Sequence, residues 1–172
     1  MRLEKELLCD GIIIRNYSVD DKDFCTGMWF DPENGKYLSD PTREYVDEVY
    51  RNAIDNMEDS KDGYYLVIER KADGKKIGTC CAFPNEDMTN IDIGYCIDKI
   101  FWRNGYASEA VRSIIDWAKD NSIKTITAEV AKENLSSCRL LKKLGFKEKE
   151  ETSFKKYHMD KEYDSYIYEL VN

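Results

Sequence analysis

The segment Trp102-Arg-Asn-Gly-Tyr-Ala-Ser-Glu-Ala110 holds the residues best suited to chemistry on an anion. Gly105 lets the backbone turn sharply and approach a ligand closely. The helix predicted after it would present unpaired first-turn N–H groups and a partial positive charge. Such a turn suits a pyrophosphate, with Arg103 adding a charge and Ser108 a hydroxyl. Taken alone, the pattern is equally that of an ordinary strand-to-helix turn. It is not a Walker loop, because no Gly-x-x-x-x-Gly-Lys-Ser/Thr is present, and it lacks the three glycines of a dinucleotide fingerprint.

The other reactive groups carry less. The single histidine, His158, lies in Lys155-Lys-Tyr-His-Met159, and a lone imidazole is more often structural than catalytic. The six cysteines, Cys9, Cys25, Cys80, Cys81, Cys96 and Cys138, contain no Cys-x-x-Cys pair, so no metal site is expected. They read as reduced, mostly buried thiols. Cys80 and Cys81 are adjacent and should point to opposite faces of a strand.

These groups need elements to position them. Gly11–Tyr17 reads as a strand and Asp20–Phe30 as a short helix, with Phe24, Met28 and Trp29 turned inward. A longer helix is expected from near Pro41 to about Met57, with Tyr45, Val49, Tyr50 and Ile54 as its apolar stripe. Tyr64–Ile68 and Ile77–Phe83 read as strands joined by a turn at Ala72-Asp-Gly74. In Thr89–Ile97 the apolar Ile91, Ile93, Tyr95 and Ile97 alternate with Asp92, Gly94 and Cys96, giving a strand with two unlike faces. Ala107, Ala110, Val111, Ile114, Ile115 and Ala118 make one helical face. Ile123–Val130 is a strand, and Asn134–Leu144 a helix ended by Gly145. Two strand candidates close the chain, about 146–157 and 163–171. The fold class is α/β or α+β, with a largely antiparallel first half.

Length and composition agree. A chain of 172 residues suggests one domain, 1–172. The net charge of −8 argues against a general nucleic-acid binder and suits a cationic partner such as a protonated amine. No apolar run reaches the ~20 residues that span a bilayer. Met1–Leu8 lacks the pattern of a signal peptide, so a cytoplasmic location with no membrane partner is expected.

Three segments in register, Ile93-Gly-Tyr-Cys-Ile97, Phe101–Ala110 and Glu133-Asn-Leu-Ser-Ser-Cys-Arg-Leu-Leu-Lys-Lys-Leu-Gly-Phe146, resemble the GNAT acetyltransferases. The resemblance is closest to the branch of ribosomal-protein N-terminal acetyltransferases. It runs from about residue 11 to residue 170, with the motif core at about 88–146. The family's coenzyme loop, Gln/Arg-x-x-Gly-x-Gly/Ala, falls on Trp102–Ala107, with Trp102 in place of the usual first residue. The resemblance implies a twisted mixed sheet of about seven strands, flanked by about four helices and split into a V that holds acetyl-CoA. The backbone of Arg103, Asn104, Gly105, Tyr106 and Ala107, with Ser108, would bind the pyrophosphate. The backbone of Tyr95 and Ile97 would pair with the pantetheine amides, and Asn134, also a good helix N-cap, would meet the same arm.

The implied reaction is acetyl transfer from the thioester to a primary amine, by direct attack in a ternary complex. The acceptor would be a small amine or a peptide N-terminus. Asp92 is the first choice of base, with Glu86 and Asp87 as alternatives acting through water. The tyrosine that many members place seven residues after the motif Asn is replaced by Leu141, and Ser137 is the substitute acid. The segments 29–41 and 154–163 would shape the acceptor side. There Tyr17, Trp29, Tyr37 and Tyr157 would face an amine or else pack as core. A homodimer through the last strands is common in relatives. With Leu141 at the acid position, a CoA-binding module without catalysis stays open as the alternative.

Overall fold

The β-branched runs become strands. A computed structural model describes all 172 residues. Its strands are β1 (Leu7–Leu8), β2 (Ile12–Asn16), β3 (Tyr64–Arg70), β4 (Lys75–Pro84), β5 (Asn90–Ile97), β6 (Thr125–Ala131), β7 (Lys147–Lys155) and β8 (Glu162–Val171). Its helices are α1 (Lys22–Trp29), α2 (Glu48–Asp55), α3 (Tyr106–Asp120) and α4 (Leu135–Lys143). One eight-stranded sheet runs in the order β1-β2-β3-β4-β5-β6-β8-β7. The strand beyond the expected seven is the two-residue β1, too short to show a period in the sequence.

Only β5 and β6 pair in parallel, and their register holds only from Asn90↔Thr125 to Asp92↔Thr127. Beyond Asp92, β5 stays on β4 as far as Ile97↔Gly78, while β6 stays on β8 as far as Ala131↔Ser165. The sheet therefore divides between its fifth and sixth strands, β5 and β6. The crossover through α3 makes this geometry available, since parallel neighbours need a long connection.

Alternation sorts β5 into two faces. Ile91, Ile93 and Ile97 join Val111, Ile114 and Ile115 of α3 in the main core, which also takes in Cys138 and Leu141 of α4. On the other face, Cys25 packs with Tyr17 and Val67 beneath α1. The adjacent cysteines divide as expected: Cys80 belongs to the core, and Cys81 faces the opposite side.

The long helix expected over 41–57 is a correction. A 3₁₀ turn spans Arg43–Tyr45, and α2 covers only Glu48–Asp55, because Asp47 caps it by accepting the Tyr50 N–H at 2.8 Å. The expected stripe breaks accordingly. Ile54 is buried, while Tyr45 and Val49 are exposed.

A buried charge cluster ties α1 to the sheet. Asp21 is 1% exposed and takes a bidentate pair of bonds from Arg15 at 2.7 and 2.8 Å. Lys76 reaches it at 2.6 Å and the Ser18 N–H at 2.9 Å. Burial alone would raise the Asp21 pKa, but the bonds from Arg15, Lys76 and Ser18 outweigh it and hold it far below the usual carboxylate range. A depressed pKa contributes stability above the unfolded value, and that contribution is lost as pH falls below about 4. Asp21→Ala should destabilise the fold by about 2–3 kcal/mol, under the full buried-pair figure because Arg15 and Lys76 keep some solvent access. Denaturant unfolding at pH 7 checks the loss, and the gap from wild type should shrink toward pH 3.

Candidate active site

The site is built where the sheet divides. Asp98 donates its N–H to Ile77 of β4, so the even-numbered residues of β5 direct their backbone groups toward β4. Ile91 accepts from the Thr127 hydroxyl on β6, so the odd-numbered residues face the other way. Tyr95 and Ile97 thus direct N–H and C=O into the opening, past the last pairing at Asp92. The Trp102 indole N–H donates to the Ile97 carbonyl at 2.6 Å, which seats that side chain against the end of β5.

The turn before α3 lies at the mouth of this opening. Gly105 is the helix N-cap with φ 84°, a left-handed conformation that glycine takes without strain. A Cβ at Gly105 would meet no atom within 4 Å, so the space above it is open. Arg103 also has a positive φ, 62°. The Asn104 side chain donates to the carbonyls of Phe101 and Trp102 at 3.1 and 3.0 Å and braces the turn. Tyr106, Ala107 and Ser108 form the first turn of α3. An exposed left-handed turn, a helix start and a strand edge without a neighbouring strand fit a long ligand with an anionic end and an amide-bearing arm.

The far wall of the opening is the start of α4. Asn134 caps it, accepting from the Ser136 hydroxyl at 2.9 Å and the Ser137 N–H at 3.3 Å. The Ser137 hydroxyl and the Tyr95 phenol hydrogen-bond at 2.5 Å, joining α4 to β5 across the division. Burial pushes the Tyr95 phenol up to about 12, so it keeps its proton at neutral pH. Leu141, one turn further along α4, is fully buried and offers no hydroxyl.

On the other face of β5 lies a cavity of about 460 Å³. Trp29, Tyr50, Tyr65 and Phe83 wall it, and Gly94 helps form its floor. A Cβ at Gly94 would come within 2.9 Å of Cys81 Sγ. Three carboxylates border the cavity. Asp92 accepts from the Thr127 hydroxyl at 2.8 Å, Glu129 from the Ser165 hydroxyl at 2.5 Å, and Asp40 from the Tyr50 phenol. Asp92 keeps solvent access, but crowding by the walls, with the neighbouring Glu129 charge, raises its pKa against the pull of Thr127.

Of the alternative bases, Glu86 and Asp87 lie in the exposed β4–β5 turn and do not line the cavity. Asp87 accepts from the Thr89 hydroxyl and N–H, which holds its pKa down. His158 is exposed in the β7–β8 turn, 3.4 Å from Asp47. Tyr17, Trp29 and Tyr37 line the cavity, whereas Tyr157 does not and packs at a tilt against Tyr50 and His158. Both flanking segments reach the cavity, through Tyr37–Asp40 and Phe154. Lys156 fixes the first of them. Its buried ammonium donates to the carbonyls of Gly35 and Leu38 at 2.7 and 2.6 Å, and burial lowers its pKa.

Sequence reasoning missed Asp40, Glu129, Lys156 and the side-chain role of Tyr95. Only Glu129 left a signal, since Thr125, Thr127 and Glu129 alternate with the buried Ile126, Ala128 and Val130.

A family model described as the acetyltransferase (GNAT) domain matches residues 12–147. The chain is 32% identical over 147 residues to an uncharacterized N-acetyltransferase, p20, of Bacillus licheniformis, covering 81% of each. Among solved structures, a GNAT-family acetyltransferase from Bacillus anthracis superposes with a TM-score of 0.80 at 20% identity, over 97% of this chain and 98% of that one. Spermidine N-acetyltransferase from Vibrio cholerae, solved with CoA and spermine, gives 0.79 at 16% identity, over 94% and 95%.

A raised pKa means that the charged form of Asp92 is disfavoured by folding. The stability it allows at low pH is lost as pH rises through the folded pKa. Asp92→Asn should therefore raise Tm at pH 7, and the difference should vanish near pH 3, where both side chains are neutral. Calorimetry at the two pH values checks the sign.

Proposed function

The chain belongs to the GNAT acetyltransferase family, and from that premise we propose that it transfers an acetyl group from acetyl-CoA to the primary amine of a small acceptor held in the cavity beside Asp92. The observation that carries this reading is the place of Asp92. It stands at the last paired position of the β5–β6 division and borders the cavity. A donor in the opening and an acceptor in the cavity would meet at this residue.

Acetyl-CoA supplies the acetyl group as a thioester that an amine can open. The backbone from Arg103 to Ala107, with the Ser108 hydroxyl, binds the pyrophosphate end at the start of α3. The strand edge at Tyr95 and Ile97 pairs with the arm, and an N–H there holds the thioester oxygen as negative charge grows on it. With its oxygen committed to the α4 cap, Asn134 meets the arm through its amino group.

The acceptor arrives as an ammonium, drawn by Asp92, Glu129 and Asp40. An ordinary carboxylate, with a pKa near 4, is a poor base toward an ammonium near 10. The raised pKa of Asp92 narrows that gap, and partial desolvation of the amine in the aromatic cavity lowers the other side of it. The apolar walls favour an amine on an apolar body. The resemblance to the ribosomal-protein branch rests on the Trp102 and Ser137 positions and does not fix the acceptor.

The test is mass-spectrometric detection of acetylated product from acetyl-CoA with aralkylamines, polyamines, aminoglycosides and short peptides. Acetylation of small amines is expected, with aralkylamines ahead of polyamines. Activity confined to peptides would overturn the acceptor reading. Asp92→Asn should lower kcat about 10²–10⁴-fold. The rate should fall as pH drops through the raised Asp92 pKa, and Glu129→Gln should move that limb to lower pH by removing a like charge.

A further inference from the structure

The hydroxyl pair across the division lies outside the family loop, and it joins Tyr95, which also borders the cavity, to Ser137, which does not. We infer that Tyr95 is a positioning residue for the departing thiolate, acting through Ser137. This rests on the proposed reading of the opening as the acetyl-CoA site.

The phenol of Tyr95 and the hydroxyl of Ser137 share one hydrogen bond of 2.5 Å. A phenol is the stronger acid and a serine oxygen the better acceptor, so Tyr95 donates. Ser137 then has its own proton to aim elsewhere, and its orientation is fixed by the phenol. The backbone of Tyr95 lies on the open strand edge, between Ile97 and the apex at Asp92. An arm lying along that edge would end beside this pair. Leu141 is buried in the core, so α4 offers no competing hydroxyl one turn away.

The acidities decide what the pair does. A thiol titrates near 8.5, well below an aliphatic hydroxyl or a buried phenol. The pair therefore keeps its protons. When the amine nitrogen bonds to the acetyl carbon and the carbon–sulfur bond breaks, the electron pair goes to sulfur. The Ser137 hydroxyl donates a hydrogen bond to that thiolate, strengthened because the Tyr95 phenol polarises it. The proton released by the amine leaves through Asp92 and water, and the thiolate takes its own proton from solvent. No oxidant or further reactant is needed.

The test needs no acceptor. CoA is bound to the protein, its affinity is measured by calorimetry, and the thiol pKa of the bound CoA is read from thiolate absorbance across pH. In the wild type that pKa should lie below the free value, and Tyr95→Phe should raise it toward the free value with the Kd of CoA within about twofold. Ser137→Ala should raise it as far, and the double variant no further. With an acceptor, Tyr95→Phe should lower kcat about tenfold at unchanged KM, the size of one lost hydrogen bond to a charged group, and should lose nothing more in the Ser137→Ala background. Equal thiol pKa values in wild type and Tyr95→Phe, with CoA bound to both, would overturn the inference and leave acetyl-CoA binding intact. Failure of the wild type to bind CoA would overturn both. Equal Tm values for the variants keep a folding defect from imitating the result.

Discussion

Everything at the site depends on one break in backbone pairing. A buried N–H or C=O demands a partner, and a sheet normally supplies it from the neighbouring strand. Between β5 and β6 that supply ends at Asp92↔Thr127, while each strand stays bound on its outer side to β4 or β8. The Trp102 indole takes the Ile97 carbonyl, and the rest of the strand edge at Tyr95 and Ile97 has no neighbouring strand to pair with. The same separation leaves room for the turn at Gly105 and the start of α4 to approach from opposite sides. Neither the Gly105 turn nor the Asn134 cap would make the proposed acetyl-CoA site without it.

The surrounding structure keeps that break from closing. The Tyr95–Ser137 bond and the apolar contacts of Cys138 and Leu141 hold α4 to β5 at a fixed separation. On the other face, the Asp21 cluster anchors α1, and Lys156 pins the segment at Gly35 and Leu38. Both are buried charges met by short, multiple bonds, so each gains geometry at the expense of desolvation. The raised Asp92 pKa is the counterpart: the fold bears an unfavourable charge where a basic carboxylate is useful.

Local chemistry was legible in the sequence and pairing was not. The Gly105 turn, the α3 stripe and the Asn134 cap depend on neighbours within one or two turns, and each was readable from residue type and spacing. The helix expected over 41–57 failed because Asp47 prefers to cap rather than continue it, a choice that the apolar spacing alone does not encode. Asp40 and Glu129 reach the cavity, and Lys156 reaches the loop at Gly35 and Leu38, only once distant parts of the chain are placed together. Tyr95 drew notice for its backbone. Its phenol acquires meaning from a serine on α4 that the sequence separates widely from it.

The two-residue period of one strand divides the proposed chemistry. Odd positions of β5 turn their backbone toward the opening and their side chains toward α3 and α4. Even positions turn their backbone toward β4 and their side chains toward the cavity. On the proposed reading Tyr95 would serve the donor twice, by its edge and by its phenol, which is held on Ser137. Asp92 faces the acceptor and cannot solvate the leaving group. A donor and an acceptor kept on opposite sides of a continuous sheet would never meet. On the proposed reading they would meet here because the sheet ceases to be continuous at the residue where the side-chain carboxylate stands. On this account the base must lie at the apex, and Glu86 and Asp87 in the β4–β5 turn are disfavoured by position, Asp87 also by its lowered pKa.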